Sequence, residues 1–135
     1  MDISLIATAA AAMLAPYLSE AGKAAAKKAG EKAWEKVAGL YQAIRRKFAA
    51  DKDDYAQKTM ERLEAQPTAE ARQVALADVL AEKAQTDPAF AQELARLVQG
   101  AAEDRAVVQI LTQVYGEGRV GKIINVAQAS VVQID

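Results

Sequence analysis

The sequence predicts an all-α fold: a helical bundle of about four to five helices that opens on an apolar helix and closes in a short β-forming, amyloid-type tail. Three observations carry that expectation. Alanine supplies 32 of the 135 residues while aromatics make up only 5%, the composition of helices that pack closely through small side chains. Between about residues 19 and 100 the apolar positions recur at helical spacing. From Arg105 to Asp135, twelve residues are Val, Ile or Thr and only three are alanine, a turn towards strand-forming composition. A chain of this length holds one domain with one modest core.

The first element is Ile3 to Ser19, 17 consecutive positions without a charge. As a helix it reaches roughly 25 Å, short of the ~30 Å hydrocarbon core of a bilayer. Alanine contributes little to insertion, and Pro16 kinks or ends the helix, so a stable lone transmembrane span is not expected. A secretory signal fits poorly as well, because its leading region is basic and here reads Met1-Asp2. Two readings remain for this element. It is a core helix, or a helix sheltered in the bundle that enters a bilayer once released.

A long helix is expected from about Ser19 to Ala50. Trp34, Val37, Tyr41, Ile44 and Phe48 lie on one stripe, and most lysines lie off it. Gly22, Gly30 and Gly39 weaken it. Asp51 or Asp53 caps a helix from about Asp53 to Ala65, with Tyr55, Thr59 and Leu63 on one face. Pro67 breaks the chain, and Thr68 caps a helix to about Gln85 with Val74, Leu76, Val79 and Leu80 apolar. Asp87-Pro88 is an N-cap with proline in the first turn. Phe90, Leu94, Leu97 and Val98 then repeat helically until Gly100.

Val107 to Tyr115 fits a helical stripe through Val107, Ile110, Leu111, Val114 and Tyr115, and is read as helix despite its composition. After Gly116, Gly118 and Gly121, Val120–Val126 and Ser130–Ile134 read as two short strands joined by Ala127-Gln128-Ala129. Such a pair does not fold alone in water. It has few charges, no proline, many β-branched residues and the amides Asn125, Gln128 and Gln133, the features of segments that stack into cross-β assemblies. The candidate amyloid core is Val120, Ile123, Ile124, Asn125, Val126, Gln128, Val131, Val132, Gln133 and Ile134. The bland alternatives are a β-hairpin packed on the bundle, or a cut through a larger domain. VVQI occurs at Val107–Ile110 and again at Val131–Ile134, a repeat short enough to arise by chance.

Charge is uneven although the net is −1. Gly22 to Phe48 carries eight basic residues against two acidic, and Ala49 to Asp104 carries twelve acidic against six basic. Either the solvated faces of a bundle differ in sign, or a basic helix is available to anionic headgroups. The near-zero balance argues against nucleic acid, the only short basic run being Arg45-Arg46-Lys47. With no cysteine and no histidine, disulfides, thiolate or imidazole metal sites, Cys nucleophiles and His-based triads are excluded. Paired carboxylates such as Asp53/Asp54 and Glu103/Asp104 lie at expected helix starts, where capping and the helix dipole favour them anyway. No catalytic, cofactor-binding or metal-binding residue is assigned.

Taken together, the two ends resemble the bacterial Bell-domain proteins, which pair an N-terminal helical domain with a C-terminal amyloid signalling motif. The likeness lies in Met1-Asp2-Ile3-Ser4-Leu5-Ile6 with its alanine-rich continuation, and in Leu40-Tyr41-Gln42-Ala43-Ile44-Arg45-Arg46-Lys47-Phe48. It runs on through the Ala/Leu/Glu-rich helices to about Gln99, and through the tail Gly118–Asp135. Val132-Gln133-Ile134 is also similar to the core of the animal RIP homotypic interaction motif, departing at Asp135 where that core continues with Gly.

The resemblance implies a Bell-like membrane-active domain over 1–104, and a linker with amyloid motif over 105–135, its core about 117–135. Such domains are regarded as relatives of fungal HeLo and HELL domains and of necroptosis-type killer domains. The implied function is a cell-death effector of bacterial immunity, cytoplasmic when inactive and at the inner membrane when activated. A nucleotide-binding immune receptor with a matching motif seeds the tail, the chain polymerises through it, and the clustered domains release the N-terminal helix into the membrane. Ile3, Leu5, Ile6, Met13, Leu14 and Leu18 are the expected insertion residues, sheltered by the bundle beforehand. Lys23, Lys27 and Lys28 are the expected contacts with anionic lipid. The rival expectations are a non-lethal helical adaptor that polymerises through its tail, and a plain bundle with a hairpin, such as a dimerisation module.

Overall fold

The computed structural model describes residues 2–30 and 32–132. Among these residues the fold is all-α, with eight helices and no strand: α1 (Ile3–Leu18), α2 (Glu20–Ala29), α3 (Glu35–Ala50), α4 (Asp54–Ala65), α5 (Glu70–Thr86), α6 (Pro88–Glu103), α7 (Arg105–Tyr115) and α8 (Glu117–Val132). The helix count exceeds the four to five expected because the chain is punctuated more often than its composition suggests. Gly30, at φ +117°, ends α2 and splits the helix expected over 19–50, a conformation that favours glycine. Asp104 closes α6 and caps α7 through the amides of Ala106 and Val107. Gly116, at φ +90°, separates α7 from α8.

Side-chain caps set most starts. Asp2, Ser19, Asp53 and Asp87 accept from the amides of Leu5, Gly22, Ala56 and Phe90 respectively, each satisfying an amide that lacks an intrahelical partner. The Asp53 and Asp87 caps match the sequence expectation. Thr68 does not cap α5; Ala69 takes that position without a side-chain hydrogen bond.

All eight helices surround one core. Leu40, Ile44, Phe48, Met60, Leu63, Leu76, Leu80, Leu94 and Ile110 are fully buried within it. The stripe expected on α3 holds, with Leu40 added and Tyr41 half-buried at its rim. Two apolar assignments do not hold. Tyr55 is 71% exposed and Val74 53% exposed, because α4 turns Ala56, Met60 and Leu63 inward, and α5 turns Gln73, Leu76, Val79 and Leu80 inward. Gln73 is accommodated because its amide donates to the Pro67 carbonyl at 3.0 Å.

Helix α1 lies at the centre and contacts every other helix, most extensively α5 and then α8. Its alanines at 7, 9, 10, 11 and 15 are all buried, and their small side chains let neighbours approach from all sides. A helix apolar around its whole circumference is a core helix by the ordinary logic of burial.

Candidate functional site

Central placement decides what becomes of the residues expected to enter a membrane. Ile6, Met13 and Leu14 are at most 1% exposed, and Ile3 and Leu18 are partly buried against the same core. Leu5 departs from the expectation of shelter: it is 39% exposed, on the part of α1 that the surrounding helices leave open. Burial of Ile6, Met13 and Leu14 stabilises the closed fold by about 1.5–3 kcal/mol each.

Between α1 and α2 the chain turns by 80° at a corner built from Pro16, Ser19, Gly22 and Trp34. Ser19 donates through its amide and its hydroxyl to the Pro16 carbonyl, at 3.1 and 2.9 Å, and its Oγ accepts from the Gly22 amide at 3.0 Å. Trp34 Nε1 donates to the Gly22 carbonyl at 3.2 Å. A Cβ on Gly22 would stand 1.8 Å from the Pro16 oxygen, so the corner closes only around glycine. Tyr17 packs edge-on against Trp34, with ring centroids 5.9 Å apart, and against Tyr41 at 5.5 Å. The sequence marks Pro16 and Gly22 as punctuation, but it does not announce that they touch.

Lys23, Lys27 and Lys28 all sit on α2 with exposed side chains. Lys23 and Lys27 share one edge of the helix, and Lys28 lies about 100° further round. The structure therefore brings the first two together beside Ala26, Gly30 and Trp34 and points the third elsewhere. Among the described residues no single helix is long and apolar enough to cross a membrane; α1 and α2 reach such a length only as a pair, and the pair is bent.

The tail differs most from expectation. Instead of two strands, residues 117–132 form α8. Composition misleads here because spacing prevails: Val120, Ile123, Ile124 and Ala127 fall at i, i+3, i+4 and i+7, one helical stripe, and that stripe packs on the core. Val120 and Ala127 are buried, and Ile123 and Ile124 partly so. Asn125 and Gln128 are exposed. Val126, Val131 and Val132 lie on the α8 backbone, while Gln133 and Ile134 lie outside the described residues. Helix α8 crosses α1, α6 and α7. Its seam with α1 is not sealed: Leu5, Thr8, Ala9, Ala12, Arg119, Lys122 and Ile123 line a cleft of about 230 Å³.

A separate charge network ties the α3–α4 turn to the α5–α6 turn. Lys83 bridges Asp51 and Asp53 at 2.9 and 3.0 Å, and Lys47 bridges Asp87 and Asp51 at 2.6 and 3.3 Å. Hydrogen bonding to Lys83 holds Asp51 below the usual carboxylate range; the Ala56 amide and then Lys83 do so for Asp53, and Lys47 and then the Phe90 amide for Asp87. Every charge in it has a structural partner, and the Asp53 carboxylate doubles as a cap. On α3, Tyr41 donates to Glu64 and Arg45 pairs with the same carboxylate at 2.8 Å. Of the basic run only Arg46 is left outside these pairings.

No protein-family model matches the sequence, and neither a curated protein nor a solved structure matches it significantly.

Proposed function

We propose that the chain is a Bell-type cell-death effector in which amyloid templating of the tail by a partner receptor clusters the helical domain and releases α1 to permeabilise the membrane. The observation that carries this reading is the pairing of the two terminal helices. The most apolar helix of the protein packs along one side against the helix whose composition is least suited to being one. Conversion of residues 117–135 to stacked strands opens that side of α1 by the same event that brings many copies together. Clustering raises local concentration, and the alanine faces of α1 permit close helix–helix contact in lipid. Lys23 and Lys27, just beyond the corner, then meet anionic headgroups, each worth about 1 kcal/mol.

The closed fold sets the energy scale. Because α1 touches every other helix, withdrawing it forfeits a core whose total stability is of the order of 5–15 kcal/mol. Release of α1 is therefore reorganisation of the whole bundle, driven by polymerisation and lipid together. In the resting state the effector is cytoplasmic, and its working site is the inner membrane.

Leakage of dye from anionic liposomes, with and without preformed fibrils of a 117–135 peptide, tests this reading. Deleting α1 unfolds the protein and settles nothing, so the informative variant is Leu5→Asp, at a position exposed enough to leave the fold intact. Leakage that needs the seed and is lost in Leu5→Asp, while fibril formation persists, is the expected result. The centrality of α1 favours one alternative, a non-lethal adaptor whose apolar helix serves only the core. Seeded fibrils without leakage would establish that alternative.

A further inference from the structure

Pro16 has no backbone N–H, so the carbonyl of Ala12 one turn earlier has no donor within its own helix. Ala12 is buried at 7% exposure, where an unpaired carbonyl is costly. The donor comes from the other end of the chain: Tyr115 Oη donates to the Ala12 oxygen at 2.8 Å. Tyr115 is the last residue of α7, immediately before Gly116, the positive-φ hinge from which α8 departs. On the first turn of α8, the Arg119 guanidinium stacks over the Tyr115 ring at 4.2 Å from its centroid. It also reaches Gln73 Oε1 at 3.5 Å. The proline-bearing turn of α1, the end of α7 and the start of α8 are thus joined through one hydroxyl and one guanidinium.

We infer that the Tyr115–Ala12 hydrogen bond is a clasp that holds α1 closed against the hinge of the tail helix, and that Pro16 creates the need for it. Without the proline, α1 satisfies its own carbonyl and is indifferent to Tyr115. With it, one turn of the central helix depends on a side chain that the tail helix covers. When residue 119 leaves the helix, the Tyr115 ring loses its cover. Its hydroxyl then exchanges Ala12 for water, and the proline-bearing turn of α1 is left without its donor. The regulatory meaning of the clasp rests on the proposed function: it is the point at which a change in the tail is first felt by the helix that acts. The clasp itself is a property of the closed protein and is tested without lipid.

The experiment is a double-mutant cycle on the full chain, read by denaturant unfolding and by hydrogen exchange of the α1 amides. With Pro16 present, Tyr115→Phe is expected to raise the opening constant of α1 about tenfold, the effect of losing one buried hydrogen bond. In the Pro16→Ala background, where residue 16 donates to Ala12 itself, the same change is expected to have an effect of less than about twofold. Equal effects of Tyr115→Phe in both backgrounds would overturn the clasp. Should Pro16→Ala fail to fold, hydrogen exchange in the Pro16 chain decides instead. Tyr115→Phe is then expected to speed exchange of the α1 amides more than that of the α3 amides, because the lost bond ends on the Ala12 carbonyl. Equal acceleration in the two helices would overturn the clasp. A chain that passes the cycle yet never permeabilises a vesicle overturns the proposed function and leaves the clasp standing.

Discussion

Helices α1 and α8 are each 16 residues long and pack against one another, yet they are helical for opposite reasons. Six of the 16 residues of α1 are alanine; α8 has six β-branched residues and two glycines. Pro16 aside, helix propensity favours the first segment over the second by roughly 4 kcal/mol, and the proline takes back about 3 of that. Up to Pro16, local preference and burial both favour helix in α1. Helix α8 is helical because Val120, Ile123, Ile124 and Ala127 find a core to cover, and without that core its backbone has little reason to stay coiled. The first is helical by local preference as well as by packing, the second by packing alone. A protein built this way has its instability concentrated at one end and its most buried apolar surface at the other.

That contrast is broken most severely by truncating the centre. Leu14→Ala removes a fully buried side chain and is expected to cost about 2–5 kcal/mol, lowering the denaturation midpoint of every helix together. Ile124→Ala, on the half-buried face of α8, is expected to cost about 1 kcal/mol. It should speed hydrogen exchange in 117–132 while leaving α1 protected. Equal losses from the two changes would contradict the division between centre and cover. Next in size is Gly22→Ala. Its Cβ collides with the Pro16 carbonyl, so the corner between α1 and α2 must open, at about 2–3 kcal/mol. Gly39→Ala, where an added Cβ meets nothing, is the control and is expected to stabilise slightly. If the two glycine variants melt alike, the corner does not constrain the fold.

How much of this was legible in the sequence follows the same contrast. The all-α class, the caps at Asp53 and Asp87, the α3 stripe and the helicity of 107–115 could be read because local preference and tertiary packing agree there. Over 120–132 they disagree: β-branched content points to strands, while a four-residue stripe packed on the core makes a helix. For Tyr55 and Val74 the error is one of phase, since α4 and α5 offer apolar or small residues on more than one face. Nothing in the order of residues reveals that α1 is the hub of the bundle, because buried alanines and exposed alanines are written identically. A donor for the Ala12 carbonyl could be demanded from Pro16 alone, but not that Tyr115, over a hundred residues away, provides it.

A smaller change sharpens the comparison from the weak side. At Gly121 an added Cβ meets no neighbour within 4 Å, so Gly121→Ala strengthens α8 without disturbing its packing, by about 1 kcal/mol. Under the proposed function the same change also disfavours conversion of the tail. A longer lag in fibril growth seeded by the 117–135 peptide, alongside a raised melting temperature, is the expected pair of results. A raised melting temperature with an unchanged lag would mean that α8 is not the element that must unfold first.

The smallest expected effect lies in the charge network at the α3–α4 and α5–α6 turns, which shares no residue with the α1–α8 seam. Asp51, Asp53 and Asp87 are held below their ordinary pKa in the folded protein. Their contribution is therefore complete above the ordinary carboxylate range and is lost as pH falls through the depressed folded values. Lys47 is raised chiefly by its hydrogen bond to Asp87. Burial pushes Lys83 down, but its hydrogen bonds to Asp51 and Asp53 more than offset that. The lysine side of the network accordingly persists below the ordinary lysine range and is lost only as pH rises through the raised values. Urea midpoints measured downward from pH 7 are expected to hold and then decline in the acid range, by a modest amount because these groups are partly open to solvent. Lys83→Met, which keeps the aliphatic stem against Phe48 while removing the charge shared by Asp51 and Asp53, is expected to flatten the decline. Exchange of the α1 amides should follow global stability in both proteins, and the local opening of α8 should not change with acid. If acid instead loosened α8 first, with the network intact, the tail would be sensing pH through groups of its own, and the independence of network and seam would fail.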